Sequence, residues 1–420
     1  MRFIYICIAY LISPLWIGAL ALRGFRDRSH WQGFSQRFGL GPKVRDQRSI
    51  WVHAVSVGEV QASVPLVETL LKRYPTVPLV LTTVTATGRA RAQAMFGTRV
   101  DVRYVPIDLP GSVRRFFQRV QPRLAIILET EIWPNLYHRC GRLGVPLVLA
   151  SARISPRSVN SYRRLVGLFR ETLSHGIFIA AQSLEDAERF VSIGASPART
   201  HVVGNIKFDF GVPPDIEARG HELRRLLGVH RPVWVAGSTH AKEEDTLIAA
   251  HRLVRERFSN ALLVLVPRHP PRFAEVAASL KAQEVPFVTR TSGGAVPSNT
   301  QVFLVDTLGE LPPFYAAGDV AFVGGTLVPI GGHNLLEPAA LSLPILAGPH
   351  NFNSADIAKM LVEHGAVRIA QDAPTLAALV GDLLSDPTAR ANMGASGRKA
   401  VDDNRGAVAR LMQFLEPLMS

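Results

Sequence analysis

The chain has 420 residues, 47% of them hydrophobic, enough for two domains that each bury a full core. Its two cysteines, Cys7 and Cys140, can build neither a disulfide framework nor a metal cluster, which excludes the small disulfide-held secreted scaffolds. The formal charge of +13 points to an acidic partner: nucleic acid, anionic lipid or a phosphorylated substrate.

In chain order, Phe3 to Leu22 carries no charge and is long enough to span a bilayer as a helix, at about 1.5 Å per residue. A signal peptide would have a shorter apolar core ending at a small-residue cleavage site. Arg23, Arg26, Arg28, Arg37, Lys43, Arg45 and Arg48 follow against only Asp27 and Asp46, a flank that stays cytoplasmic and holds the rest of the chain there. The segment is expected to be an uncleaved anchor, single-pass or, because Pro14 can kink it, inserted only shallowly. Anionic headgroups would attract the flank by about 1 kcal/mol per near-surface charge.

Short apolar runs then alternate with helix-length amphipathic segments such as Val60–Tyr74 and Ser183–Val191. Ile50–Val55, Pro78–Thr83, Val102–Val105, Leu124–Leu128, Pro146–Ala150, Gly176–Ala180 and Thr200–Val203 read as buried strands. After a glycine- and proline-rich break at Gly204–Pro214, the alternation restarts. Val233–Ala236, Ala261–Val266, Pro286–Thr289, Val302–Val305, Val320–Val323, Pro344–Ala347 and Ala366–Ile369 form the second series. This pattern predicts two consecutive doubly wound α/β domains with parallel sheets, Rossmann-like and facing a cleft. The expected boundaries are an anchor over 1–22, a first domain over 23–209 and a second over 210–420, with the last helix able to pack back on the first domain. Ligands in such sheets sit beyond the carboxyl ends of the strands.

Those strand ends carry the candidates. Glu59 projects from a strand-to-helix corner, where a partly dry carboxylate can act as a general base or can simply complement a helix dipole. Glu129 and Glu131 repeat the arrangement after the strand ending at Leu128, with Arg153 or Lys207 as a basic partner; a linker lysine such as Lys207 can equally be solvated. In the second domain Arg268 stands at a strand end between prolines, which suits phosphate. Asp306 to Leu311 offers backbone N–H groups near Leu308, Gly309 and Glu310.

The stretch Gly324–His350 has two Gly-Gly pairs and then His333, Asn334 and Glu337 at the mouth of a helix expected over Leu335–Leu341. It reads as an anion or sugar-phosphate site with Asn334 capping, or as tight packing that only needs small residues. The thirteen histidines, His201, His240, His269 and His333 among them, look scattered and show no metal-ligand spacing. Arg89–Arg103 and Arg114–Arg123 make the first domain basic, and Phe116 and Phe117 inside the second run suggest a membrane-facing surface. No nucleic-acid recognition motif is present, and neither are the common nucleotide-loop, zincin or nucleophile-elbow motifs.

Taken together, WVHAVSVGEV, TTVTATG, YVPIDLP, ETEIWPNL, SARIS, GNIKFD, VPRHPPRF and GHNLLEPAALSLPILAGPH, in that order, resemble the 3-deoxy-D-manno-octulosonic acid (Kdo) transferases of lipopolysaccharide synthesis. The resemblance runs from the anchor to roughly residue 370. It implies a GT-B-type fold, an inner-membrane anchor with the catalytic domains on the cytoplasmic side, CMP-Kdo as donor and a lipid A precursor (lipid IVA) as acceptor. A donor carrying one phosphate, already a fair leaving group once its charge is neutralised, leads us to expect an inverting transfer without a metal or other cofactor; the basic flank adds anionic inner-membrane lipids, and no nucleic acid, as partners. Glu59 would be the catalytic base, and Glu129 and Lys207 would stabilise the transition state. Pro267, Arg268, Leu308, Gly309, Glu310, Asn334, Leu335, Leu336 and Glu337 would hold CMP. The competing expectations are another nucleotide-sugar enzyme on the same scaffold, such as a UDP-N-acetylglucosamine epimerase, and a non-catalytic lipid-binding protein.

Overall fold

The computed structural model describes residues 2–26, 28–44, 47–163, 166–173 and 176–419; Asp27, Arg45 and Asp46 of the expected charged flank lie outside the described residues. The chain forms two compact units, Met1–Gly211 together with Asn404–Ser420, and Val212–Asp403. It opens with the helix α1, Arg2–Arg26. Its portion Arg2–Leu22 is, among the described residues, the one helix long and apolar enough to cross a membrane.

In the first unit the strands are β1 (Ser49–His53), β2 (Leu79–Thr83), β3 (Asp101–Tyr104), β4 (Pro122–Leu128), β5 (Leu147–Ala152), β6 (Phe178–Ala181) and β7 (Thr200–Val202). They pair in parallel in the order β3-β2-β1-β4-β5-β6-β7. Both faces of this sheet are covered, which is why its central strands read as unbroken apolar runs rather than alternating ones. Ile50 and Val52 of β1 join Leu124, Ile126 and Leu128 of β4 in one core. Trp51, Ala125 and Ile127 point to the other side, into a second core. The last helix, Ala407–Met419, places Leu411 and Leu415 in the first of these cores.

Two local expectations change. The stretch Val60–Tyr74 is not one helix: α2 (Val57–Ala62) ends at Ser63, and α3 (Val64–Arg73) begins there. Pro65 lacks an N–H and is tolerated only in a first helical turn, so a new helix start accommodates it. The basic run around Phe116 and Phe117 is not an exposed membrane-facing surface. Both rings are buried against Trp51, at 5.0 and 6.0 Å between ring centroids. Arg115 and Arg119 donate to the carbonyls of Phe38 and Gly41 at 2.8 and 2.9 Å, so this stretch of arginines fastens the segment that follows α1.

The second unit contains β8 (Val233–Thr239), β9 (Leu262–Pro267), β10 (Phe287–Thr289), β11 (Val302–Leu304), β12 (Val320–Val323), β13 (Ile345–Ala347) and β14 (Val367–Ile369). All pair in parallel, in the order β10-β11-β9-β8-β12-β13-β14. In both sheets the first strand is internal and later strands add on both sides of it; in the second sheet β11 inserts between β9 and the edge strand β10. The switch points therefore fall between β1 and β4 and between β8 and β12. At such points the following loops diverge and leave room for a ligand beyond the strand ends.

Candidate active site

Glu59 and Glu129 follow the two strands that flank the first switch point. The corner after β1 is closed reciprocally: Ser56 caps α2 by accepting from the Glu59 N–H (3.4 Å), and the Glu59 carboxylate accepts from the Val55 N–H (2.8 Å) and the Ser56 hydroxyl (3.4 Å). Glu59 thus completes a helix start and is also fixed in orientation. Burial pushes its carboxyl up to about 7; the Val55 N–H opposes this, Glu129 and Glu131 add to it, and Lys207 pulls the other way. A carboxyl poised near neutrality is suited to take a proton.

Glu129 adopts a left-handed backbone conformation, φ 58°, which costs a non-glycine residue about 1–3 kcal/mol. The turn directs its carboxylate to Lys207 Nζ at 2.7 Å and Arg153 Nε at 3.4 Å. Both basic candidates therefore serve Glu129, and Lys207 is a half-buried ion-pair partner rather than a solvated linker residue. A short 3₁₀ turn, Ile206–Asp209, presents Lys207, and Asn205 accepts from the Lys207 N–H at 2.9 Å to start that turn. Glu131 accepts from Trp133 Nε1 at 2.6 Å, and burial raises its carboxyl as well. Three carboxyls and two cations thus converge from β1, β4, β5 and the end of the first series of strands.

In the second unit the glycine stretch behaves differently from an open anion cradle. The N–H groups of Gly325, Thr326 and Leu327 donate to the carboxylate of Glu243, at 2.7, 3.0 and 2.9 Å, and the His240 N–H adds a fourth bond at 3.2 Å. Glu243 is fully buried, so the protein's own carboxylate fills the place a phosphate would take. Gly324 and Gly348 are needed for close packing: a Cβ would lie 2.5 Å from Ser238 O and 2.3 Å from Thr326 C and O. The expected helix over Leu335–Leu341 shrinks to five residues, Leu336–Ala340, too short for much dipole. Asn334 stands one residue ahead of the cap position, accepting from the Leu336 N–H and donating to Glu337 Oε1, both at 3.1 Å. Leu335 and Leu336 are buried, so only their peptide groups could serve a ligand.

The other residues of this group are spread over neighbouring strand ends. Pro267 closes β9, and the Arg268 N–H donates to Thr239 O at 3.0 Å while its side chain is exposed. Leu308 is exposed and Gly309 has φ 82°. Glu310 is engaged by Arg290 (3.1 Å) and by the Thr307 hydroxyl, not by Arg268. The histidines that look scattered in sequence do meet. His240 Nε2 and His333 Nε2 are 2.7 Å apart with ring planes 2° from parallel, and His269 packs edge-on to His240 at 5.4 Å. At 2.7 Å the two nitrogens are too close for stacked faces, so the rings meet edge to edge and share one proton. Burial lowers both rings, His333 to about 4, with Arg268 and His269 adding to the effect. Loop residues 93 positions apart carry no shared periodicity, so the sequence held no signal for this pair. Among the described residues, no group of three or more His, Cys, Asp or Glu side chains is arranged to hold a metal ion.

Comparison with known proteins follows the same lines. Residues 32–210 match the family described as 3-deoxy-D-manno-octulosonic-acid transferase (kdotransferase). The 3-deoxy-D-manno-octulosonic acid transferase of Haemophilus influenzae is 38% identical over 421 aligned residues, covering 100% of this chain and 99% of the relative. That of Bordetella pertussis is 39% identical over 94% of both chains. The UDP-GlcNAc 2-epimerase of Neisseria meningitidis, solved with UDP-GlcNAc, superposes with a TM-score of 0.58 over 88% of this chain and 100% of its own, at 11% identity. The last likeness shows a shared GT-B-like fold of two parallel α/β units and no more. Full-length similarity to curated transferases goes further, and with it the chain is a glycosyltransferase that belongs to the 3-deoxy-D-manno-octulosonic acid (Kdo) transferase family.

Proposed function

We propose that this enzyme transfers Kdo from CMP-Kdo to a hydroxyl of a lipid A precursor, lipid IVA, in one inverting displacement that needs no metal. Glu59 takes the proton of the acceptor hydroxyl, the oxygen attacks the anomeric carbon, and CMP leaves with the bonding electrons. The observation that carries the choice of base is the fixed, half-buried Glu59 carboxylate at the first switch point, held beside the Glu129–Lys207 pair. Lys207 and Arg153 offer positive charge to the sugar carboxylate or the leaving phosphate, and Glu129 sets their position.

On the donor side, Arg268 neutralises phosphate, while the peptide groups of Pro267, Leu308 to Glu310 and Asn334 to Leu336, with the Glu337 carboxylate, hold the nucleoside. An acylated, phosphorylated acceptor suits a chain of charge +13 that begins with an apolar helix, and supports an anchor in the cytoplasmic leaflet of the inner membrane with anionic lipids around it. The test is mass spectrometry of the product made by purified protein from CMP-Kdo and lipid IVA, with and without a chelator. Addition of Kdo at an unchanged rate in chelator is expected. Absence of any Kdo adduct, or loss of activity restored by a divalent cation, would overturn the reading. CMP, and not UDP, should raise the melting temperature.

A further inference from the structure

Fastenings run along the whole length of α1 and tie it to the first unit. At its start, Arg2 Nε donates to Asn135 Oδ1 (3.2 Å) and the Tyr5 hydroxyl donates to Asp108 Oδ2 (2.9 Å). Midway, the Arg37 guanidinium lies over the Trp16 ring at 5.7 Å. Towards the end, Gly24 sits so close to Trp31 that a Cβ would lie 2.5 Å from the indole. Asp108 cannot follow the helix elsewhere. It is buried and accepts from the N–H groups of Asn135 (3.0 Å) and Leu136 (2.9 Å), closing the start of the helix Pro134–Leu143. A 25-residue helix is about 37 Å long. Crossing a hydrocarbon layer of about 30 Å would carry Arg2 and Tyr5 to the far side and part them from Asp108 and Asn135.

The helix is also two-sided. Its covered side runs through the small residues Ala9, Ser13, Ala21 and Gly24, all partly or fully buried, with Ile17 and Leu20 half-buried between them. On the outside Ile4, Ile8, Leu11, Leu15, Leu22 and Phe25 are exposed, Leu11 by 78% and Leu15 by 76%. They recur at steps of three and four, with Gly18 filling the one gap, so they form a single stripe from end to end. A helix surrounded by lipid has no need of one covered side and one bare side; a helix lying in a surface does. Exposed Tyr10 and Trp16 suit headgroup depth, and exposed Arg28 beyond the helix, on a chain of charge +13, suits anionic headgroups.

We propose that α1 lies in the plane of an anionic lipid surface, its outer stripe dipped into the acyl boundary, and that it does not cross the bilayer. This rests on the membrane-anchor reading above and specifies its geometry. The test uses the full chain with Cys7→Ser and a short extension ahead of Met1 that carries one cysteine; buried Cys140 serves as the unreactive control. Intact spheroplasts are treated with a membrane-impermeant maleimide before and after lysis. Sedimentation with membranes and labelling only after lysis are expected. Labelling of intact spheroplasts would overturn the in-plane geometry and leave membrane attachment standing, whereas a soluble protein would overturn both. Leu11→Glu combined with Leu15→Glu keeps every fastening contact and should move at least tenfold more protein to the soluble fraction, with the CMP-induced melting shift unchanged. Retention in membranes, or a soluble wild-type dimer that this variant splits, would overturn the assignment of the stripe to lipid.

Discussion

Glu59→Gln tests the base most directly, because the structure sets two opposite consequences for one substitution. Raising a carboxyl from 4.5 to about 7 corresponds to a cost of about 3 kcal/mol for the ionised form in the folded state. The sign follows from linkage: below about pH 4.5 the group is neutral folded and unfolded, so the native residue and glutamine should be equally stable. Between about pH 4.5 and 7 the unfolded chain ionises while the folded group stays protonated, so stability falls across that window and levels off above it, where the folded protein carries a half-buried negative charge. Glu59→Gln should therefore melt higher than wild type at pH 8–9, by a gain of up to about 3 kcal/mol or several degrees, and match it at pH 4–5. Turnover should fall by about 10²- to 10⁴-fold, the usual contribution of a positioned base. In the wild type, kcat/KM should drop about tenfold per pH unit below 7 and level off above it. Thermal melts across pH and a radiolabelled transfer assay read both effects. A flat rate profile from pH 5.5 to 8.5, or a glutamine variant that turns over normally, would refute the reasoning.

Three further outcomes follow from the same geometry. Glu129→Gln removes a charge that raises Glu59, so the acidic limb of the rate profile should move to lower pH; Lys207→Met should move it the other way, and shifts of the same sign would be inconsistent with the ion-pair arrangement. Glu243→Ala leaves four backbone N–H groups without their acceptor, at about 1–3 kcal/mol each, so chemical denaturation should show a loss of several kcal/mol. The lowered His333 ring contributes stability that is fully present above about pH 6.5 and is lost as pH falls towards 4; His333→Leu should flatten that part of the stability curve, read by melting between pH 4 and 7.

Much of the fold was legible because both sheets are parallel and covered on both faces. Every apolar run assigned as a strand overlaps an observed strand, within a residue or two at most ends. Glu59, Glu129 and Arg268 each follow a strand end as expected, which is where a doubly wound sheet leaves room for a ligand. Periodicity cannot report what a side chain does across space. Pro65 splits a helix whose hydrophobic spacing runs on without interruption. Phe116 and Phe117 sit among arginines in sequence but face inward, because one turn of helix carries Arg114 and Gln118 to the outside and both rings to the core. Two Gly-Gly pairs look alike whether their N–H groups wait for a ligand or are taken by Glu243, and Glu243 lies some 80 residues away. The His240–His333 contact was hidden for the same reason.

The return of the last helix to the first unit has a bearing on synthesis. The first unit is discontinuous in sequence: residues 212–403 stand between its two parts, and Leu411 and Leu415 on one side of its sheet come from the second part. Asp209, two residues from Lys207, accepts from the Gly406 N–H at 2.6 Å and from the Val408 N–H, so the turn that presents Lys207 is held by residues 197 and 199 positions further along. In the order of synthesis, the residues that close the first unit therefore come after all of the second. A chain stopped short near residue 403 would lack Leu411 and Leu415 and the two N–H groups that hold Asp209.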